Sequence, residues 1–161
     1  MGWSWDHFFR FMFSEYMLLG VWTTIWLATI AMTLGVILGV IIAFMKMSNY
    51  WILQRIAIAF IWLWRGTPLL IQMVIIYTVL PKFGLKFGVI ESAIIALTLH
   101  EGAYFAEIVR AGISAVNKGQ TDASKALGMA WPQRMWYVII PQATRVIIPP
   151  MGNQFNLMIK T

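Results

Sequence analysis

The chain has no cysteine and only two histidines, His7 and His100, among its 161 residues. Neither a disulfide nor a thiolate metal site can form, and two histidines alone do not complete a metal site. A phosphate-binding loop of the form GxxxxGK[ST] is also absent, so the commonest nucleotide-binding motif is excluded. We therefore predict no metal and no cofactor for this sequence.

Charge is scarce as well. Only 11% of the residues are charged, whereas a soluble domain has about 25%. Hydrophobic residues make up 60% of the chain, and the mean hydropathy is +0.75. This composition predicts a membrane protein. The net charge of +6 comes from basic residues that lie mainly at the ends of apolar segments, where they orient a chain in a bilayer, so we predict no nucleic-acid binding.

Long apolar runs divide the chain into segments. Residues 16–45 carry no charge and exceed the roughly 20 residues that a transmembrane helix needs. This first run contains Gly35 and Gly39, a GxxxG pair that permits close helix contact, although unspecific packing explains such a pair equally well. Residues 51–80 are too long for one straight span, and Gly66 and Pro68 predict a break near residues 65–68.

Two further segments complete an all-α, polytopic transmembrane helical bundle of about four spans. The third span covers residues 89–110, and the fourth begins at Met135. The third is polar for its length, and ionisable groups at bilayer depth usually face a bundle interior or water. We expect Glu107 at the membrane interface. His100 and Glu101 lie deeper, and either a polar cavity or an interhelical hydrogen bond explains them.

The distribution of Lys and Arg predicts an extracytoplasmic N-terminus. With that orientation the cytoplasmic connectors hold seven basic residues against three outside. The seven are Lys46, Arg55, Arg65, Arg110, Lys118, Lys125 and Arg134, and the three are Arg10, Lys82 and Lys86.

A polar island interrupts the apolar chain at residues 117–141. We predict a short helix over residues 121–127 that Gly128 ends. A helix of this length needs packing to be stable, because isolated helices below about 12–15 residues are marginal. Small apolar side chains form one stripe on it, at Ala123, Ala126, Leu127 and Ala130. The stripe suits a groove in another protein, and a connector lying on the membrane surface is the alternative.

The island resembles the loop signature of permease subunits of bacterial ATP-binding-cassette importers. That signature is Glu-Ala-Ala, three residues, Gly, nine residues, Ile, one residue and Leu-Pro. Here the matching residues are Asp122-Ala123-Ser124, Gly128, Val138 and Ile140-Pro141. The spacing agrees throughout, and the four substitutions keep charge or approximate size.

Other motifs resemble the polar amino acid permeases within that group, and the resemblance covers residues 15–161. They are Arg65-Gly66-Thr67-Pro68-Leu69-Leu70, Gly102-Ala103-Tyr104, Ala106-Glu107, Lys118-Gly119-Gln120 and Pro149-Pro150-Met151-Gly152-Asn153-Gln154-Phe155. Such permeases normally continue to a fifth span. The resemblance therefore implies one type I importer permease domain over residues 1–161 that is C-terminally incomplete.

The resemblance implies import of polar amino acids through the inner (plasma) membrane. Its partners would be ATPase subunits that hydrolyse ATP, an extracytoplasmic amino-acid-binding protein, a second permease subunit and membrane lipid. Residues 117–131 would be the cytoplasmic coupling loop that docks on the ATPase. The docking residues would be Asp122, Ala123, Ser124, Ala126, Leu127 and Gly128.

A zwitterionic amino acid also needs polar partners inside the bundle. We predict that the substrate path includes Asn153 and Gln154, together with His100 and Glu101. Arg65 could bind a carboxylate, or its side chain could simply reach the cytoplasmic interface. Two other functions remain open: a membrane enzyme using His100, Glu101 and Glu107 as acid–base groups, and a truncated scaffold or regulatory subunit that docks ATPases without transporting.

Overall fold

The computed structural model describes residues 4–160, and every regular element in that part of the chain is helical. The all-α prediction is thereby confirmed. Turns of π-helix follow α4 and α7, at Ile75–Val79 and Met135–Ile139, and a 3₁₀ turn at Leu80–Phe83 follows the first of them. The α-helices are α1 Trp5–Met12, α2 Glu15–Met47, α3 Trp51–Gly66, α4 Leu69–Val74, α5 Val89–Ser114, α6 Lys118–Ala126, α7 Trp131–Arg134 and α8 Ile140–Ile159.

Fewer helices meet the length and hydropathy of a membrane span than the sequence predicted. Within residues 4–160, α2 and α5 qualify singly, and the bent pair Trp51–Gly66 and Leu69–Phe83 makes a third if it counts as one span. The pair is bent by 105° at the predicted break. Helix α8 is long enough but too polar to qualify. By length and hydropathy alone, two or three spans are found in these residues, against the four or so that the sequence predicts.

Close packing of α2 on α5 organises the bundle. The GxxxG pair of α2 lies directly on α5: a Cβ added at Gly35 would lie 2.9 Å from Cβ of Glu101, and one added at Gly39 only 2.5 Å from Cβ of Phe105. Phe105 and Ala106 of α5 are fully buried. Without side chains at the two glycines the backbones approach closely, and dispersion contacts replace the hydrophobic driving force that is missing between helices in lipid.

The two π turns have a common cause in proline. Each ends two residues before a proline, at Pro81 and at Pro141. A proline ring clashes with the carbonyl four residues earlier and supplies no N–H to it, so the preceding helix widens by one residue. The widening before Pro141 explains how α7 and α8 follow each other without a loop.

Helix α8 returns against α5. A Cβ added at Gly112 would overlap Cγ1 of Ile147, so this contact also depends on the absence of a side chain. Near the same end of α5, Lys46 of α2 donates to Glu107, and the Arg110 Nε donates to the other Glu107 oxygen at 2.9 Å. These charges pair near the ends of the apolar segments, where we predicted Glu107 to lie.

The α2–α5 contact leads to a stability prediction. We expect Gly39→Ala to lower the free energy of unfolding by about 1–3 kcal/mol, because the new methyl group meets Phe105 and the backbone nitrogen of Ala106. The thermal midpoint of the detergent-solubilised protein measures this loss. Gly20→Ala is the matched control on the same helix, since nothing lies within 4 Å of its Cβ position. Equal midpoints for the two variants would contradict the packing described here.

Candidate functional site

A buried glutamine secures the break between α3 and α4. The side chain of Gln72 is only 3% exposed. Its Nε2 donates to the carbonyl oxygens of Trp64, at 2.8 Å, and Thr67, at 3.0 Å, and to Thr67 Oγ1 at 2.9 Å. Because Pro68 and the bend interrupt the helical ladder, these carbonyls lack their usual intrahelical donors. The side-chain amide of Gln72 supplies the donor that these carbonyls would otherwise lack.

Gln72 also connects the break to α5 and a row of ring contacts. Its Oε1 lies 3.2 Å from Nδ1 of His100. The His100 ring lies 5.0 Å from the ring of Tyr104, one turn along α5. The guanidinium carbon of Arg65 lies 4.8 Å from the centre of that tyrosine ring, a cation–π distance. The two ends of this row, Gln72 and Arg65, both lie next to the bend between α3 and α4.

A second polar pair joins α5 to α8. Gln154 Nε2 donates to Glu101 Oε1 at 3.3 Å. Glu101 is only 3% exposed, and its other oxygen, Oε2, is buried and has no hydrogen-bond partner among the described residues. An unmet acceptor of this kind is costly in an apolar interior unless a donor arrives.

The polar residues surround two adjoining cavities. His100, Glu101 and Gln154 line a cavity of about 170 Å³. Arg65, Asn153 and Gln154 line a larger groove of about 400 Å³, with Glu107 at its wall. Tyr104 and Gln154 line both spaces and therefore stand between them. All five residues predicted for the substrate path thus line one space or the other, and their role remains a prediction.

Both explanations offered for the deep residues of α5 are realised together. His100 and Glu101 each make an interhelical hydrogen bond, and each lines the smaller cavity. Sequence reasoning missed the contribution of Gln72. Its signal was available, because Gln72 is a lone amide in an apolar run just after the Pro68 break, but only the structure shows that it faces His100.

The coupling loop predicted over residues 117–131 has a helix with well-defined ends. Helix α6 begins at Lys118, three residues before the predicted start, because the Asn117 side chain accepts from the N–H of Gly119 at 2.8 Å. At the other end, N–H of Gly128 donates to Lys125 O and N–H of Met129 donates to Ser124 O. This is the Schellman arrangement.

The glycine that ends α6 has the backbone such an arrangement requires. Gly128 has φ of +74°, a left-handed conformation that a residue with a Cβ adopts only at a cost. Its predicted role as the stop of this helix is confirmed. The helix is also tied to the bundle, because Gln142 Nε2 of α8 donates to Gln120 Oε1 at 3.2 Å.

The predicted docking residues divide by exposure. The apolar stripe of Ala123, Ala126, Leu127 and Ala130 is exposed, and Leu127 has 80% of its surface accessible. Asp122 is also exposed. Ser124, in contrast, is 3% exposed and donates its hydroxyl to the carbonyl of Thr121. In this conformation Ser124 faces the chain itself, and its part in docking stays a prediction.

The geometry defines a helical membrane protein with a polar cleft inside the bundle and a short helix that presents an apolar stripe. The chain belongs to the family described as the binding-protein-dependent transport system inner membrane component, whose model matches residues 35–161.

Curated relatives are amino-acid permeases. The chain is 41% identical over 171 residues to the arginine transport system permease protein ArgU of Corynebacterium glutamicum, with 98% of this chain and 54% of that protein covered. It is 37% identical over 148 residues to the probable glutamine ABC transporter permease protein GlnM of Bacillus subtilis, with 92% and 68% covered. The chain thus spans about half the length of the first relative.

Solved structures confirm the type I importer permease fold. A crystal structure of an amino acid ABC transporter with histidines superposes with a TM-score of 0.90 at 39% identity, over 99% of this chain and 74% of that one. An inward-facing MetNI methionine ABC transporter superposes with a TM-score of 0.73 at 22% identity, over 91% and 73% of the two chains, and shares the fold.

The end of α6 can be tested through backbone conformation alone. Nothing lies within 4 Å of a Cβ placed on Gly128, so a substitution there acts through φ. We expect Gly128→Val to speed amide hydrogen exchange in residues 118–129, because a β-branched residue is strained at positive φ, by roughly 1–3 kcal/mol.

Gly128→Asn is the matched control for this prediction. Asparagine tolerates the left-handed region, so we expect exchange close to that of the unaltered chain. If the valine and asparagine variants exchange alike, the Schellman ending does not hold α6.

Proposed function

We propose that this chain forms the membrane-spanning permease part of an ATP-binding-cassette importer for polar amino acids. The observation that carries the proposal is the exposed apolar stripe of α6, held on a helix with both ends capped. Supporting it are the amino-acid permeases among its relatives and the type I importer fold. In this proposal the chain transports and a partner ATPase hydrolyses ATP.

The stripe suits docking on a partner better than packing within the chain. A helix of nine residues is too short to persist alone, yet this one is closed by Asn117 and by the Schellman turn. Ser124 lies on the buried side of α6, while Ala123 and Ala126 are exposed. Small outward side chains let a groove in an ATPase subunit approach the helix backbone closely.

The proposed orientation places α6 in the cytoplasm and the N-terminus outside. The excess of basic residues in the connectors around α6 supports it. An extracytoplasmic binding protein would then deliver the amino acid to the opposite face. A second permease subunit would enclose the path together with this one.

The cleft offers the complementary groups that a zwitterion requires. Arg65 at the larger groove is a cation with a bidentate donor geometry for a carboxylate. In the smaller cavity the carboxyl group of Glu101 lies beside the amide of Gln154, which donates to its Oε1. We propose that an amino acid passes along these two spaces, with Tyr104 and Gln154 at their boundary.

The docking part of the proposal predicts lost ATPase association for Ala126→Trp, because a bulky ring on the stripe prevents the close approach. Copurification of the ATPase from native membranes measures the association, and we expect at least a tenfold decrease, roughly 1.4 kcal/mol of binding free energy. Copurification of the unaltered complex also identifies the ATPase and the binding protein.

Lys125→Trp is the control for the docking prediction. It adds the same side chain at a neighbouring exposed position that lies off the stripe, and we expect association to persist. Undiminished binding of the ATPase by Ala126→Trp would remove the stripe from the interface.

The substrate path predicts altered transport for Gln154→Ala with assembly intact. The change removes the donor to Glu101 and a wall of both spaces, so we expect altered uptake or altered substrate-stimulated ATP hydrolysis by the assembled transporter. Asn156→Ala is the control, since this exposed amide on α8 lines neither space. Unchanged kinetics for Gln154→Ala would take Gln154 out of the path.

A further inference from the structure

The hydrogen bonds around Gln72 determine which way its amide points. Thr67 Oγ1 donates its single proton to the carbonyl of Leu63 at 2.8 Å. The same oxygen can then only accept from Gln72, as can the carbonyl oxygens of Trp64 and Thr67. Three acceptors therefore surround one end of the amide, and that end must be the NH₂ group.

The orientation of the amide in turn determines a proton position on His100. With the NH₂ group committed to the bend, Gln72 presents its Oε1 to Nδ1 of His100 at 3.2 Å. An amide oxygen only accepts, so Nδ1 must carry the proton that forms this hydrogen bond. In the neutral imidazole the other nitrogen, Nε2, then has a lone pair and is an acceptor.

We propose that Gln72 is a positioning residue that holds the bend at residues 66–68 and keeps His100 in its Nδ1-protonated tautomer. This gives the smaller cavity, which Glu101 also lines, a histidine that accepts a hydrogen bond. A histidine acceptor beside a carboxyl group suits an N–H donor such as the ammonium group of an amino acid. The choice of that ligand group rests on the proposed function; the tautomer does not.

The tautomer can be measured directly, because the chain has only two histidines. The assembled protein is labelled with ¹³C,¹⁵N-histidine and studied in lipid by solid-state NMR at mildly alkaline pH, where an ordinary imidazole with a pKa of about 6.5 is neutral. Correlations of each nitrogen with its ring carbons show which one is protonated. A His7→Gln variant assigns the signals to His100.

We expect the unaltered protein to show His100 protonated on Nδ1 by roughly tenfold over Nε2, the bias that one good hydrogen bond gives. Free histidine prefers the opposite tautomer, so the expected result departs from the default. A predominant Nε2–H signal from His100 in the unaltered protein would overturn the proposal.

Two substitutions at Gln72 separate its two tasks. Gln72→Glu keeps an acceptor for His100 and removes the NH₂ donor, so we expect the Nδ1–H tautomer to persist while amide hydrogen exchange near residues 66–70 increases. Gln72→Leu removes both groups, so we expect the tautomer to revert as well. Loss of the Nδ1–H tautomer in the Glu variant, or its retention in the Leu variant, would contradict the assignment to Oε1.

Uptake by the complete transporter tests the ligand group, with L-arginine and L-glutamine as probes. We expect Gln72→Leu to raise KM several-fold more than Gln72→Glu, because only the Leu variant loses the acceptor at Nε2. Equal KM values would overturn the ammonium assignment and leave the NMR result standing. If the unaltered complex takes up no amino acid, the proposed function fails, while the spectra still decide the role of Gln72.

Discussion

A backbone carbonyl in an apolar interior needs a hydrogen-bond donor, and this constraint governs where the chain can depart from a regular helix. A carbonyl left without a donor there costs several kcal/mol, so a break inside the bundle must bring its own donors. Between α3 and α4 the donor is the side chain of Gln72. Before Pro81 and Pro141 the helix widens into a π turn instead. At each of these three irregular segments, a side chain or a π turn provides for the backbone groups that a regular α-helix would have paired.

The same constraint concentrates polarity in the cleft. While Nε2 of Gln72 binds the carbonyls of the bend, its Oε1 contacts His100 on α5. The contacts continue from His100 to Tyr104 and from Tyr104 back to Arg65. Close packing of α2 on α5, through Gly35 and Gly39, places Cβ of Glu101 against the backbone of α2 at Gly35. Glu101 itself lines the smaller cavity, whereas its Oε2 is buried and has no hydrogen-bond partner among the described residues.

The sequence predicts this architecture well where one residue type has one physical consequence. Gly66 and Pro68 predicted the bend, Gly128 predicted the end of α6, an uncharged run predicted α2, and a more polar apolar run predicted α5, both to within a few residues. It predicts poorly where a residue has two possible partners. The start of α6 was placed late because the Asn117 cap was not recognised, and the burial of Ser124 against its own chain was not foreseen. No periodicity reveals that the amide of Gln72 faces His100, since that contact depends on a 105° bend between two helices.

Helix α5 joins the two regions that the proposed function requires. It contributes His100 and Glu101 to the smaller cavity, pairs Glu107 with Lys46 of α2 farther along, and ends four residues before α6 begins. From Glu101 to Ser114 a straight helix rises only about 20 Å. Helix α6 also contacts α8 through Gln120 and Gln142, and α8 carries Gln154. A partner that gripped the stripe of α6 would therefore pull on both helices whose side chains meet at the Glu101–Gln154 hydrogen bond. The seam between α5 and α8 also includes the close contact of Gly112 with Ile147, so such a pull would act on two helices that touch at both places.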